Sequence, residues 1–173
     1  MVSRALPRTV VLLGITSFFT DAASEMVVPL LPVLLGDRML AGAAALGLVE
    51  GAADAVAGVL KLYSGRWSDR TGRRKPFIVT GYGLASVVRP LVAVASAPWH
   101  VLAIRVVDRV GKGLRSAPRD ALLSEAVSSS EPGRAFGFHR AMDHAGAVVG
   151  PLLATGLLAA EVPLEGVFAA AAL

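Results

Sequence analysis

Five stretches of this chain are each long and apolar enough to cross a hydrocarbon layer of ~30 Å, which takes about 20 helical residues. They run from about Val10 to Leu35, Ala43 to Tyr63, Phe77 to Ala97, Trp99 to Leu123 and Ala135 to Ala160. A sixth begins near Val167 and reaches only Leu173, too short to span at about 1.5 Å per residue. Short polar breaks separate them. Hydrophobic residues are 54% of the 173, and the 18 glycines lift the apolar share to about 65%, against roughly 45–50% in soluble domains. A water-soluble core of this size cannot bury that much, and a disordered chain would be far more polar. The expected fold is all-α: one polytopic transmembrane bundle, with the sixth helix cut off inside the element.

Charge placement sets the expected orientation. If the segments alternate, one side carries Arg4, Arg8, Arg66, Arg70, Arg73, Arg74, Lys75 and Arg134, and the other carries only Arg38. Basic residues stay cytoplasmic, so the N-terminus is expected inside, in a cell membrane, most simply a bacterial inner membrane. The net charge of +4 is then a topology signal rather than a nucleic-acid footprint, and no nucleic-acid partner is expected for the Arg73-Arg74-Lys75 run. The first segment carries Asp21 and Glu25 and no small-residue cleavage site follows it, so it reads as a retained helix, not a leader. With no cysteine, there is no disulfide framework and no thiolate chemistry.

Charges inside the apolar segments are the informative residues. Asp21 and Glu25 lie one turn apart in the first, and Glu50 and Asp54 repeat that spacing in the second. Arg89 precedes Pro90 in the third. Arg105, Asp108, Arg109, Lys112, Arg115 and Arg119 follow at steps of three or four in the fourth, which places them on one helical stripe. His139, Arg140, Asp143 and His144 stand in the fifth. Each charge at mid-membrane costs ~2.5–3.5 kcal/mol on insertion scales, so nine or ten facing lipid would cost tens. They must face one another or a wet cavity, with acids of the first two helices compensating bases of the third and fourth. A polar-lined cavity is what a solute pathway needs. The plainer alternative is an ion-pair network that only holds helices together. Asp21, Glu25, Glu50 and Asp54 are the candidate proton carriers; with Arg89, Arg105, Asp108 and Arg109 they make up the expected pathway.

Other spacings point to packing. Gly47 and Gly51, continued by Ala55 and Gly58, and Gly146 and Gly150, followed by Pro151, are small-residue stripes that let helices approach closely. Pro29 and Pro32 each remove a backbone donor and should loosen the first helix. His139 and Asp143 stand one turn apart with His144 adjacent, but no further ligand follows at firm spacing, so no metal site is expected.

The second–third break reads Gly65-Arg66-Trp67-Ser68-Asp69-Arg70-Thr71-Gly72-Arg73-Arg74-Lys75-Pro76. Physically it is expected to be a tight cytoplasmic turn, with Gly72 permitting the bend. Placed after two membrane segments, it resembles the signature between helices 2 and 3 of the major facilitator superfamily at every defined position. Pro29-Leu30-Leu31-Pro32 resembles the family's first-helix proline pair. Arg105 with Gly111 and Gly113 resembles its fourth-helix arginine signature, although Arg109 stands where many members have glycine. Gly146-Ala147-Val148-Val149-Gly150-Pro151 resembles the fifth-helix signature of proton-coupled exporters, with Ala154 and Thr155 where paired glycines end it. Gly133-Arg134-Ala135-Phe136-Gly137 resembles the usual fourth–fifth loop.

The resemblance covers the first half of a fold built of two six-helix halves, each of inverted three-helix repeats, with the solute site between halves near the midplane. It implies a conformational-switch loop of Gly65, Asp69, Arg70, Gly72, Arg73 and Arg74. Gly65 and Asp69 would contact the missing C-terminal half, and Arg73 would pair with Asp120 or Glu125. It implies a role for Arg105 in proton coupling, no organic cofactor, and no bond broken in the solute. The sequence itself carries no phosphate-binding glycine loop, paired-histidine metal motif or serine nucleophile elbow, so no enzyme is expected. The expected function is secondary transport of a small solute by alternating access, proton-coupled, with export by antiport favoured. The expected partners are the lipid bilayer, the solute, protons and the second half. A membrane scaffold without transport, or an inactive truncated product, is the alternative.

Overall fold

The computed structural model describes residues 5–127 and 132–171; Arg4, the middle of the fourth–fifth break and the last two residues of the sixth stretch lie outside them. Six helices account for most of the described chain: α1 (Arg8–Val27), α2 (Ala43–Thr71), α3 (Arg74–Val88), α4 (Pro98–Glu125), α5 (Pro132–Ala159) and α6 (Leu164–Ala170). No strand occurs among the described residues. The protein is an all-α membrane bundle. Among the described residues, four stretches are long and apolar enough to cross a membrane: Arg8–Arg38, Ala43–Thr71, Arg74–Val94 and Pro132–Ala159. α4 has the length but carries the charged stripe, and its burial between neighbours replaces the apolar surface it lacks.

Prolines dictate where the helices lose regularity. After Val27 the α1 rod continues as a 3-10 turn (Val28–Leu30), a single α turn (Leu31–Val33) and a π turn (Leu34–Arg38). Pro29 and Pro32 cannot donate to the carbonyls four residues earlier, so the backbone shifts to other spacings. Pro90 has the same effect on α3, whose extension Arg89–Val94 is 3-10. α2 ends where Gly72 takes the left-handed conformation, φ 64°, which glycine adopts without a Cβ penalty.

The expected turn over Gly65–Pro76 is shorter than its sequence suggests. α2 stays helical through Thr71 and α3 begins at Arg74, so only Gly72 and Arg73 bridge the two. The reason lies in the residues: nothing between Gly65 and Thr71 breaks a helix, and Ser64 and Ser68 are buried along the face that meets α4.

α4 packs between α2 and α3, and α1 packs along α5; α6 closes over the 3-10 end of α3. Adding three to the helix numbers turns the α1–α5 pair into the α4–α2 pair, the contact pattern of two inverted three-helix repeats. Two apolar clusters bracket the charged layer. One gathers Met26, Leu31, Leu35, Val92, Val101 and Phe168 at the end near α6. The other gathers Val10, Leu123 and Ala135 at the opposite end. Large apolar side chains such as Leu12, Phe19, Val79, Val87 and Leu152 are exposed on the outside, where lipid rather than water solvates them.

The small-residue stripes divide. A Cβ on Gly146 would sit 2.4 Å from the Phe18 carbonyl oxygen, and one on Gly150 would sit 2.3 Å from that of Ala22, so α5 touches the α1 backbone. The α3–α4 crossing is as tight, with Gly81 and Gly111 each within 2.6 Å of the other's carbonyl oxygen when given a Cβ. A Cβ on Gly47, Gly51 or Gly58 would meet nothing within 4 Å among the described residues. The close packing expected there is corrected: α2 presents a different face to α4, the one carrying Ala53, Ser64 and Ser68, and Gly113 of α4 abuts Leu60 and Ala57.

Candidate functional site

The charged stripe of α4 lies in the middle of the bundle. Arg105 is 1% exposed and grips Glu50 of α2 with two bonds, Nε to Oε1 and Nη2 to Oε2, both 2.8 Å. One turn along, Arg109 Nε donates to Asp54 Oδ1 at 2.9 Å. The spacing of four on both helices lets the two pairs stack in register. From α3, Arg89 Nη2 donates to Asp108 Oδ1 at 2.8 Å, and its Nη1 donates to the Thr20 carbonyl of α1 at 3.1 Å. Asp108 also stands 3.6 Å from Arg105 and 3.5 Å from Arg109. Arg89, Arg105 and Arg109 thus face Asp108, Glu50 and Asp54, and the formal charges of the six cancel. Bidentate guanidinium–carboxylate bonds are the strong kind, and burial is affordable only because every charge is matched.

The cluster has a closed and an open side. Arg89 and Asp108 side chains are 3% exposed, whereas Glu50 is 27% and Asp54 68% exposed. Water reaching this half would meet those two carboxylates first.

A second group of charges sits further along α4 and α5. Arg119 bonds Asp120 at 2.9 Å, Arg140 reaches Asp143 at 3.3 Å, and His139 Nδ1 lies 3.3 Å from Asp143 Oδ1. Arg115 is buried, lies 4.6 Å from the centroid of the Tyr82 ring and donates a long bond to the Gly81 carbonyl. His139 Nε2 and Tyr82 Oη are buried without a hydrogen-bond partner among the described residues. His144 is exposed. Asp21 is half-buried, with Asp143, Arg115, Lys112 and Arg119 as its charged neighbours. The described residues show no ion pair for Glu25. The structure therefore joins Glu50, Asp54, Arg89, Arg105, Asp108 and Arg109 in one cluster, sets Asp21 beside the second, and leaves Glu25 outside both.

At the basic end of the bundle, Arg74 ties three helices together. Its Nη1 donates to Asp69 at 2.7 Å, and its Nε donates to both oxygens of Glu125 at 2.9 and 3.0 Å. Arg74, rather than Arg73, meets the acid at the end of α4; of Arg73 the structure shows a backbone N–H near the Thr71 hydroxyl. The physical reason is that Arg73 lies in the two-residue link while Arg74 opens α3 and points along the bundle end. The Arg74 bonds hold the Glu125 carboxyl below the usual carboxylate range. At the other end Arg38 pairs with Glu165, across from the end of α1 to α6.

One contributor, Tyr82, escaped the sequence reading. Tyr82 stands two turns before Arg89, so the i, i+7 spacing was a usable signal for a shared face. Asp120 also bridges to Arg140, at 3.9 Å, a contact for which no spacing within one helix could speak.

Comparison with known proteins bears on this arrangement. Residues 13–173 match the family model described as Major Facilitator Superfamily. An uncharacterised MFS-type transporter of Methanocaldococcus jannaschii is 38% identical over 150 residues, covering 87% of this chain and 37% of that protein. An uncharacterised protein of Mycobacterium tuberculosis is 36% identical, covering 88% of this chain and 37% of its own length. The multidrug resistance protein MdtH of Cronobacter sakazakii is 35% identical, covering 77% and 33%. The chain spans about a third of the length of these relatives. Charges matched across α2, α3 and α4, an arginine-bearing fourth helix and the short α2–α3 link all lie within the matched region: this chain belongs to the major facilitator superfamily, a family of multi-pass membrane transporters.

Proposed function

We propose that this chain supplies the N-terminal half of a proton-coupled secondary transporter that exports a small solute by alternating access. The observation that carries the reading is the Arg105–Glu50 pair, in which a guanidinium sealed from solvent is held by a carboxylate that still has an open side. A proton reaching Glu50 would neutralise it and release both bonds to Arg105. The freed guanidinium, still beside Asp108, would favour a different helix arrangement. Deprotonation on the other side of the membrane would restore the pair. Asp54 stands one turn from Glu50 on the same helix, Asp21 contributes a carboxylate beside the second charged group, and Glu25 belongs to the set by sequence position. The driving work is ~2.3 kcal/mol per charge per 100 mV.

Support for a partner half comes from the relatives, of whose length the chain covers about a third, and from the exposed Gly47, Gly51 and Gly58 stripe, where an added Cβ would meet nothing within 4 Å among the described residues. In this reading Gly65, Asp69, Arg70, Gly72, Arg73 and Arg74 form the switch loop: the Asp69–Arg74–Glu125 cluster would open or close as the halves rock. The N-terminus and the basic links lie in the cytoplasm, and no cofactor takes part. MdtH is named for multidrug resistance, which favours export here.

The test uses the complete transporter in sealed vesicles with an imposed pH gradient. Glu50→Gln is expected to abolish the pH dependence of solute flux, with Asp54→Asn, Asp21→Asn and Glu25→Gln each weakening it. Unchanged dependence in all four removes proton coupling through these groups. A wild-type vesicle with no solute flux at all returns the chain to a scaffold.

A further inference from the structure

The cytoplasm-proximal end of α2 has a face that neither the ion-pair cluster nor the helix packing uses. Ala53, Ser64 and Ser68 are buried against α4, and Glu50 and Asp54 look toward the charged cluster. A third face carries Val59, Leu62, Tyr63, Arg66, Trp67 and Arg70, again at steps of three and four. Every one of these is exposed; Tyr63 is 63% and Trp67 64% exposed. Tyr63, Arg66, Trp67, Arg70 and Thr71 line an open cavity of ≈ 500 Å³. One wall is fixed, because the Trp67 ring packs edge-on against Phe77 of α3 with centroids 5.8 Å apart.

We infer that this cavity is a binding site for the headgroup of an anionic phospholipid in the leaflet at the basic end of the bundle. Arg66 and Arg70 stand one turn apart and have no carboxylate partner among the described residues. The nearest acid in the sequence, Asp69, is already held by Arg74 at 2.7 Å. Two unmatched guanidiniums flanking a cavity suit a phosphate, which accepts paired N–H bonds. Tyr63 and Trp67 are the residues that sit at the level of the glycerol and headgroup in a membrane interface. Further from that interface, Val59 and Leu62 leave an apolar strip where an acyl chain can lie. From Val59 to Arg70 the helix rises about 16 Å, with the apolar Val59 and Leu62 first and the aromatic and cationic Tyr63, Arg66, Trp67 and Arg70 after them, the order of acyl chain and then glycerol–phosphate headgroup in one lipid. That order selects a lipid over a free phosphate, which has no use for the apolar strip. Basic pockets between membrane helices on this side are suited to anionic headgroups. The inference is independent of proton coupling and of the solute.

The sequence holds two tryptophans, so Trp99→Phe leaves Trp67 as the sole reporter. The full chain carrying that change is reconstituted in phosphatidylcholine and titrated with brominated phosphatidylglycerol or brominated phosphatidylcholine. Trp67 quenching is expected at a roughly thirtyfold lower mole fraction of the anionic lipid, the order expected of two basic side chains near a membrane surface. Adding Arg66→Gln and Arg70→Gln should remove that preference, and Arg66→Lys with Arg70→Lys should retain part of it. Millimolar inorganic phosphate should leave the quenching unchanged. Equal quenching by the two lipids overturns the assignment without reference to any arginine variant. So does a preference that survives the double glutamine change, displacement by inorganic phosphate, or a Trp67 that no lipid reaches because protein covers it.

Discussion

Arg105 shows what a single residue can and cannot declare about itself. Its sequence position inside an apolar segment demands a partner, because an unmatched guanidinium there is too costly to keep. The partner turned out to be Glu50, fifty-five positions away, bound through two 2.8 Å contacts. Removing one member of a buried pair leaves an uncompensated charge and costs about 3–5 kcal/mol, and the part-exposed Glu50 puts Glu50→Gln near the lower figure. Arg105→Met should cost a comparable amount, since Glu50 keeps some solvent while Asp108 keeps Arg89. The double variant should be less destabilised than the sum of the singles by about 0.5–3 kcal/mol. Unfolding in mixed detergent micelles measures all three, and strict additivity would mean that the two groups do not act as a pair. The residue types in this cluster were legible: acids one turn apart on α2, bases one turn apart on α4. Glu25 was legible as a charge in the same way, yet it joins neither charged group.

At the scale of elements, contact is decided by which face of a helix carries its small residues. Gly146 and Gly150 have no room for a side chain against the α1 backbone, whereas a Cβ on Gly51 would meet nothing within 4 Å among the described residues. Gly150→Val should therefore prise α5 from α1 and destabilise by about 1–3 kcal/mol or more, the range for forced overpacking. Gly51→Val should leave the stability of this chain unchanged within about 0.5 kcal/mol. Equal losses from both would contradict the division of faces. Both stripes have the same spacing in sequence. They differ in rotation about the helix axis relative to a neighbour, and no local pattern encodes that angle. Breaks were easier to read: Pro29, Pro32 and Pro90 loosen their helices for reasons internal to the backbone. The extent of α2 was not, because polar residues from Arg66 to Thr71 look like a loop until burial of Ser64 and Ser68 is known.

For the whole molecule, the absence of cysteine makes orientation directly measurable. Single cysteines at Ala5 and Gly72 should resist a membrane-impermeant thiol reagent in intact cells and label after permeabilisation, while Ala41→Cys and Ala160→Cys label at once. The opposite pattern would invert the bundle. Sequence alone determined that this chain is a helical membrane bundle and which family it falls in. Lipid supplies no backbone partners and few charges are tolerated there, so composition, segment length and a short motif sufficed. Tertiary structure decided that Arg105 meets Glu50, that Arg74 rather than Arg73 meets Glu125, and that the Gly146–Gly150 stripe of α5 rather than the Gly47–Gly58 stripe of α2 presses on a neighbour. Those choices depend on the rotation and axial register of one helix against another, which the summed packing of all six sets together and no single segment contains.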